Sequence, residues 1–257
     1  MMKRFFCFLF AILLLLAAVF GCKKAEEPEN TMQFGQTEEP AASDTANESM
    51  GSVSPAVQKG AAVEVTDTVA YWFDGVLYGA AAYQNIGDVP VVVEEAVFTF
   101  HMDGTTHTET FIPATGAYDV IAPGNTGYCV GFFEDTGLEN SGTMELGAEL
   151  KAVKASTDAF TLTVQNGYLI ENYPGFATLS GELKNPDTQY QSCDLNMIFA
   201  GFYDAEDTLL GVWYFSKNAQ LAPGMSIPFV VHMKALPVEN LAENCSSIHF
   251  HAFGING

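Results

Sequence analysis

The sequence predicts an all-β protein in which one folding unit is used twice. Three observations carry that expectation. Apolar and polar residues alternate with period two in several short runs, the mark of half-buried strands. Turn signals separate these runs at a spacing of roughly 8–15 residues, which suits a sandwich or a barrel. A set of marks also returns at a constant displacement of one hundred residues. With 48% hydrophobic residues, 20 Phe and 10 Tyr in 257 residues, the chain has enough apolar content for packed cores.

The N-terminus is read as an address rather than as part of the fold. Lys3 and Arg4 precede sixteen apolar residues, Phe5 to Phe20. That run is short for a membrane span and has the flanks of a secretory signal peptide. It ends in Val19-Phe20-Gly21-Cys22, which resembles the lipobox of bacterial lipoproteins, although Phe20 stands where that motif usually has a smaller residue. The resemblance implies a signal peptide over residues 1–21, cleavage before Cys22 and diacylation of its thiol. The protein is then held at the outer face of the cell membrane by a lipid anchor on Cys22, since two acyl chains suffice for stable attachment.

Residues 22–60 follow as a flexible acidic linker. The stretch after Cys22 is rich in Glu, Pro, Ala, Ser and Thr and holds one aromatic, Phe34, in 38 residues. Such a composition buries too little apolar surface to offset the entropy of ordering.

The repeated marks divide the remainder into copies at 61–154 and 155–257. Gly75 matches Gly175, and Asn85 matches Asn185. Ala122-Pro123-Gly124 matches Ala222-Pro223-Gly224, and Glu139-Asn140 matches Glu239-Asn240. A fixed offset of this size indicates a duplicated small domain. Each asparagine is followed by a β-rich run, "VPVVVEEAVFTFHM" or "YQSCDLNMIFAGFY", and each run meets a turn signal at Asp103-Gly104 or "DAED". The copies close on "AELKAVKA" and "SIHFHAFG". In the latter, Ile248, Phe250 and Ala252 alternate with His249 and His251. "LENSGTMELGAEL" and "VENLAENCSS" break the pattern and are expected to hold a short helical turn.

From Gly175 to Val231 the pattern resembles the FxLYD-type domains of bacterial lipoproteins, on "GELKN", the "GFYDAED…LLG" hairpin and "LAPGMSIPFVV". The first copy fits less closely, with "HMDG" in place of "FYDAED". The resemblance implies two tandem immunoglobulin-like β-sandwich domains. It carries over no catalytic residue.

Charge narrows the choice of partners. The chain has 31 acidic and 10 basic residues, a net of −21, and residues 61–150 contain fourteen Asp and Glu with no Lys or Arg. Nucleic acid needs neutralising cations, so it is excluded as a partner. Four side-chain groups remain as candidates for chemistry. His232, His249 and His251, if on neighbouring strands, have the ligand type for zinc. Cys193 and Cys245 are a possible disulfide pair in an exported protein, with Cys129 left over, although three reduced structural thiols are favoured. Glu134-Asp135 and Asp204-Glu206-Asp207 suggest calcium but lack the ligand pattern of an EF-hand loop. Tyr71-Trp72-Phe73 and Trp213-Tyr214-Phe215 must present rings to both faces of a strand, which offers a protein or glycan contact unless the other copy covers them. No G-x-S-x-G, H-E-x-x-H, P-loop or dinucleotide fingerprint is present. The expectation is a non-catalytic binding or envelope-associated module without a cofactor. The alternative is a metal-binding protein or metal-dependent enzyme using the three histidines.

Overall fold

The computed structural model describes residues 32–33, 60–73, 75–138, 144–188, 191–234 and 236–255. The signal segment 1–21, Cys22, most of the 22–60 linker and the Glu139-Asn140 mark lie outside them. Strand β1 (Met32–Gln33) adds to the protein within the stretch read as linker. It is followed by β2 (Val63–Phe73), β3 (Val76–Asn85), β4 (Val91–Met102), β5 (Thr105–Phe111), β6 (Thr126–Phe133) and β7 (Met144–Lys154). The second half contributes β8 (Thr161–Tyr173), β9 (Phe176–Lys184), β10 (Cys193–Tyr203), β11 (Leu209–Leu221), β12 (Ser226–Met233) and β13 (Ser247–Ile255). The fold is all-β, as expected, and every ladder among the described residues is antiparallel.

Two three-stranded sheets make the first half, in orders β2-β3-β6 and β5-β4-β7. They face each other across a core of Leu77, Ala81, Tyr83, Cys129 and Phe133 from one sheet and Val91, Val93, Ala96, Phe98 and Phe100 from the other. The second half repeats the same pairings, β8-β9-β12 and β11-β10-β13, and joins them through Ala252↔Leu162 and Phe253↔Thr161. A single sheet in the order β11-β10-β13-β8-β9-β12 therefore curls into a nearly closed, barrel-like form. Its edges approach where Lys217 Nζ on β11 donates to the Pro228 carbonyl on β12 and Phe215 meets Phe229.

The displacement of one hundred residues recurs in the hydrogen-bond register. Leu77↔Phe133 to Gln84↔Thr126 in β3–β6 reappear as Ala177↔Met233 to Lys184↔Ser226 in β9–β12, every number raised by one hundred. Asn85 and Asn185 are both fully buried. Asn85 Nδ2 donates to the carbonyls of Val89 and Ile121, and its Oδ1 accepts from the Gly87 N–H. Asn185 Nδ2 donates to Gln191 and Leu221, and its Oδ1 accepts from Asp187. The backbone of each asparagine also bonds to the Ala-Pro-Gly turn. Gly124 N–H donates to the Asn85 carbonyl and Gly224 N–H to that of Asn185. Both glycines have positive φ, 81° and 73°, and follow a proline, the requirement of a type II turn. The proline and glycine recur because the turn docks on a buried asparagine in each half.

Two local expectations change. "MELGAEL" is strand, and the part of "LENSGTMELGAEL" at 139–143 lies outside the described residues. Met144, Leu146, Ala148 and Leu150 pack toward the first core while Glu145 and Glu149 face solvent, so a period-two pattern was present among small residues. Its counterpart does hold a helical turn, Leu241–Asn244. Strand β3 is buried on both faces over most of its length rather than on one. Its inward side meets the first core. Its outward side, Ala80 and Ala82, joins Tyr128, Phe199, Tyr203, Leu209, Val212 and Phe253 in a cluster drawn from both halves.

Candidate functional site

The outer face of the β2-β3-β6 sheet carries its residues in rows, because directly paired residues of adjacent strands share a face and a level. One row is Asp67, Ala82, Tyr128, the next Val69, Ala80, Val130, and the third Tyr71, Tyr78, Phe132. Against this face lies the outer side of β10, β11 and β13. The alanines in the first two rows let the second half approach closely. Tyr128 lies so near Gly201 that a Cβ there would collide with its hydroxyl. Polar contacts pin the same region. Asp67 Oδ2 accepts from the Leu209 N–H at 2.7 Å, and Tyr128 Oη donates to the His249 carbonyl at 3.3 Å.

The third row is bulky and holds the two faces apart. Here a cleft of about 190 Å³ opens, lined by Tyr71, Tyr78 and Phe132 from one half and Val212, Trp213 and Tyr214 from the other. Tyr71 and Tyr78 stack at 5.2 Å and 15°, and Phe132 stands edge-on to Tyr78 at 4.7 Å. Tyr214 lies 5.8 Å from Phe132 and continues the series onto Phe199. Phe132 is 43% exposed, so the rings are open to solvent on one side. Burial raises the pKa of Tyr71, Tyr78 and Tyr214, with the neighbouring Tyr78 adding to the effect on Tyr71 and Tyr214. The hydroxyls therefore stay neutral well above physiological pH. Trp213 also packs on the core of the second half.

The three histidines are not brought together. His232 is on β12, with Nδ1 3.1 Å from Thr178 Oγ1, whereas His249 and His251 are on β13, with β8 and β9 between the two strands. Among the described residues no group of three His, Cys, Asp or Glu side chains is placed to hold a metal. His249 lies against Tyr203 with ring centroids 4.6 Å apart. His251 Nε2 is 2.6 Å from Asp119 Oδ1, and both side chains are largely buried, 10% and 5% exposed. Sequence reasoning missed this pair, which spans 132 positions and carries no local signal.

A Cys193–Cys245 disulfide is not formed: both thiols and that of Cys129 are free and buried. The two cysteines flank opposite ends of the β10–β13 ladder, near Leu195↔Ile255 and Tyr203↔Ser247. Eight residues of strand span roughly 26 Å at about 3.3 Å each, far beyond bridging reach. Burial pushes the Cys129 thiol up to about 12, with Asp119 contributing, and those of Cys193 and Cys245 to about 11. All three thus lack thiolate character. At the hairpin tip, Asp204 Oδ1 accepts from the N–H groups of Glu206 and Thr208, so that carboxylate organises its own turn. The aromatic trios divide between cover and cleft. Trp72 and Phe215 pack on cores, while Tyr71 and Tyr214 line the opening. Tyr78 and Phe132 escaped notice in the sequence, because their place in the row depends on strand register. No family model matches the chain, and no curated protein matches it.

Proposed function

We propose that this chain is a bacterial lipoprotein that binds a small ligand outside the cell. Cys22 carries the lipid anchor, residues 22–60 act as a tether, and two immunoglobulin-like copies of the FxLYD kind follow. The domain reading is supported by the pairing of the first, second and fifth strands of each half in one group, and of the third with the sixth in another, as in immunoglobulin sandwiches. The ligand-binding reading rests on one observation: an open cleft, walled by aromatic rings with neutral hydroxyls, where the two halves meet. Rings that are not fully covered by their own fold mark contact sites.

Two experiments test it. Cys22→Ala should abolish incorporation of labelled fatty acid and release the protein from the membrane fraction; an unchanged membrane fraction and label would refute the anchor. For the cleft, the full chain is titrated with a panel of neutral sugars, organic amines and short peptides while tryptophan fluorescence, to which Trp213 in the cleft contributes, is followed. At least one class should alter the emission, and Phe132→Ala should remove the response. Silence across the panel would overturn the binding role.

A further inference from the structure

We infer that the cleft selects a free quaternary-ammonium solute, a cation with an apolar shell such as a trimethylammonium compound. This deepens the binding role proposed above and rests on it. Four observations converge. Rings from β2, β3, β6 and β11 surround one space, and aromatic faces carry negative partial charge that attracts cations. The wall offers no ionised group among Tyr71, Tyr78, Phe132, Val212, Trp213 and Tyr214, and burial keeps the phenols protonated. A strongly hydrated ammonium or metal ion would lose water there without gaining a carboxylate from these six residues, whereas a weakly hydrated quaternary centre loses little.

Charge complementarity supplies the third argument. The chain carries −21, and residues 61–150, which furnish half the wall, have no Lys or Arg. Cations are concentrated at such a surface and anions repelled. That also argues against a phosphate-bearing head group as the source and commits the site to a free solute. Size is the fourth. An apolar cavity of ~150 Å³ admits benzene. The cleft, at about 190 Å³, has room for a trimethylammonium head while its open side leaves space for the rest of the molecule.

Calorimetric titration of the full chain in a non-ionic polyoxyethylene detergent tests the inference. The probes are tetramethylammonium, choline, phosphocholine, glucose and 3,3-dimethyl-1-butanol, the uncharged carbon analogue of choline. Choline should bind about tenfold more tightly than that analogue, the preference expected of a desolvated cation–π contact. Phosphocholine should be weaker than choline and glucose should not bind. Phe132→Leu keeps apolar area but removes the ring, and should erase the preference for choline over its analogue. Tyr78→Phe keeps the ring face and should hold choline affinity within about twofold. Equal affinity for choline and its carbon analogue would overturn cation selection and leave the binding role standing. Phosphocholine binding as tightly as choline would overturn the free-solute assignment. If glucose or a peptide occupies the cleft and choline does not, the inference falls alone; if nothing in the wider panel binds, both fall.

Discussion

Replacing Asn185 with alanine should be among the most damaging single changes in the second half. The side chain is fully buried and makes three hydrogen bonds, to the Gln191 and Leu221 carbonyls and from the Asp187 N–H. A hydrogen bond contributes about 1 kcal/mol net, and a buried partner left unpaired costs about 1–3 kcal/mol. Some of the stranded groups can reach water, so a loss of about 3 kcal/mol is expected, which corresponds to a fall in Tm of about 6–12 °C for a chain of this size. Asn85→Ala removes the equivalent three bonds to Val89, Ile121 and Gly87 and should cost a similar amount. Asn185→Asp preserves the acceptor but turns two donor contacts into repulsion between a carboxylate and carbonyls. It should destabilise at neutral pH and recover partly in acid. Urea unfolding followed by far-ultraviolet circular dichroism measures all three. Losses under about 1 kcal/mol at both asparagines would refute the claim that they fasten the Ala-Pro-Gly turns.

Three further outcomes follow from the same structure. Gly201→Ala forces a Cβ against the Tyr128 ring and hydroxyl and should cost about 1–3 kcal/mol by overpacking, read from the denaturation midpoint. His251→Ala strands the Asp119 carboxylate and should cost about 3 kcal/mol; Asp119→Asn should cost less, because the amide oxygen still accepts from the imidazole. Stability should fall in alkali: the thiols of Cys129, Cys193 and Cys245 are raised by burial from 9.0 to about 12, 11 and 11. A raised acid stabilises the fold fully below its unfolded pKa, so denaturation midpoints should hold up to about pH 9 and decline between 9 and about 12. Cys129→Ala should flatten part of that decline.

Local physics made some elements legible. The period-two run at 247–255 was readable because one face of β13 meets the core of the second half through Ala252, with Ile248 and Phe250 packed against it. The paired Asn and Ala-Pro-Gly marks were readable because each answers to a neighbour in the same half. β7 was less so, since alanine and glycine give a weak apolar contrast. The cleft was partly visible: consecutive aromatics announced that both faces of β2 and β11 matter, which put Tyr71 and Tyr214 in view. Tyr78 and Phe132 belong to the same row only through the ladders Tyr71↔Tyr78 and Tyr78↔Phe132. Composition along a chain does not reveal register. The Asp119–His251 contact and the wide separation of Cys193 from Cys245 are likewise products of long-range pairing.

The small side chains of "YGAAAY" have a consequence for anyone who would shorten this protein. They leave Ala80 and Ala82 with apolar surface that the opposite half helps to cover, and Phe199 and Phe253 are in the same position from the other side. Severing the polypeptide at 154/155 would therefore bare two sticky faces shaped for each other, not release a pair of independent beads. Fragments expressed singly should self-associate or precipitate, and fragments expressed together should find one another and reassemble the opening between them.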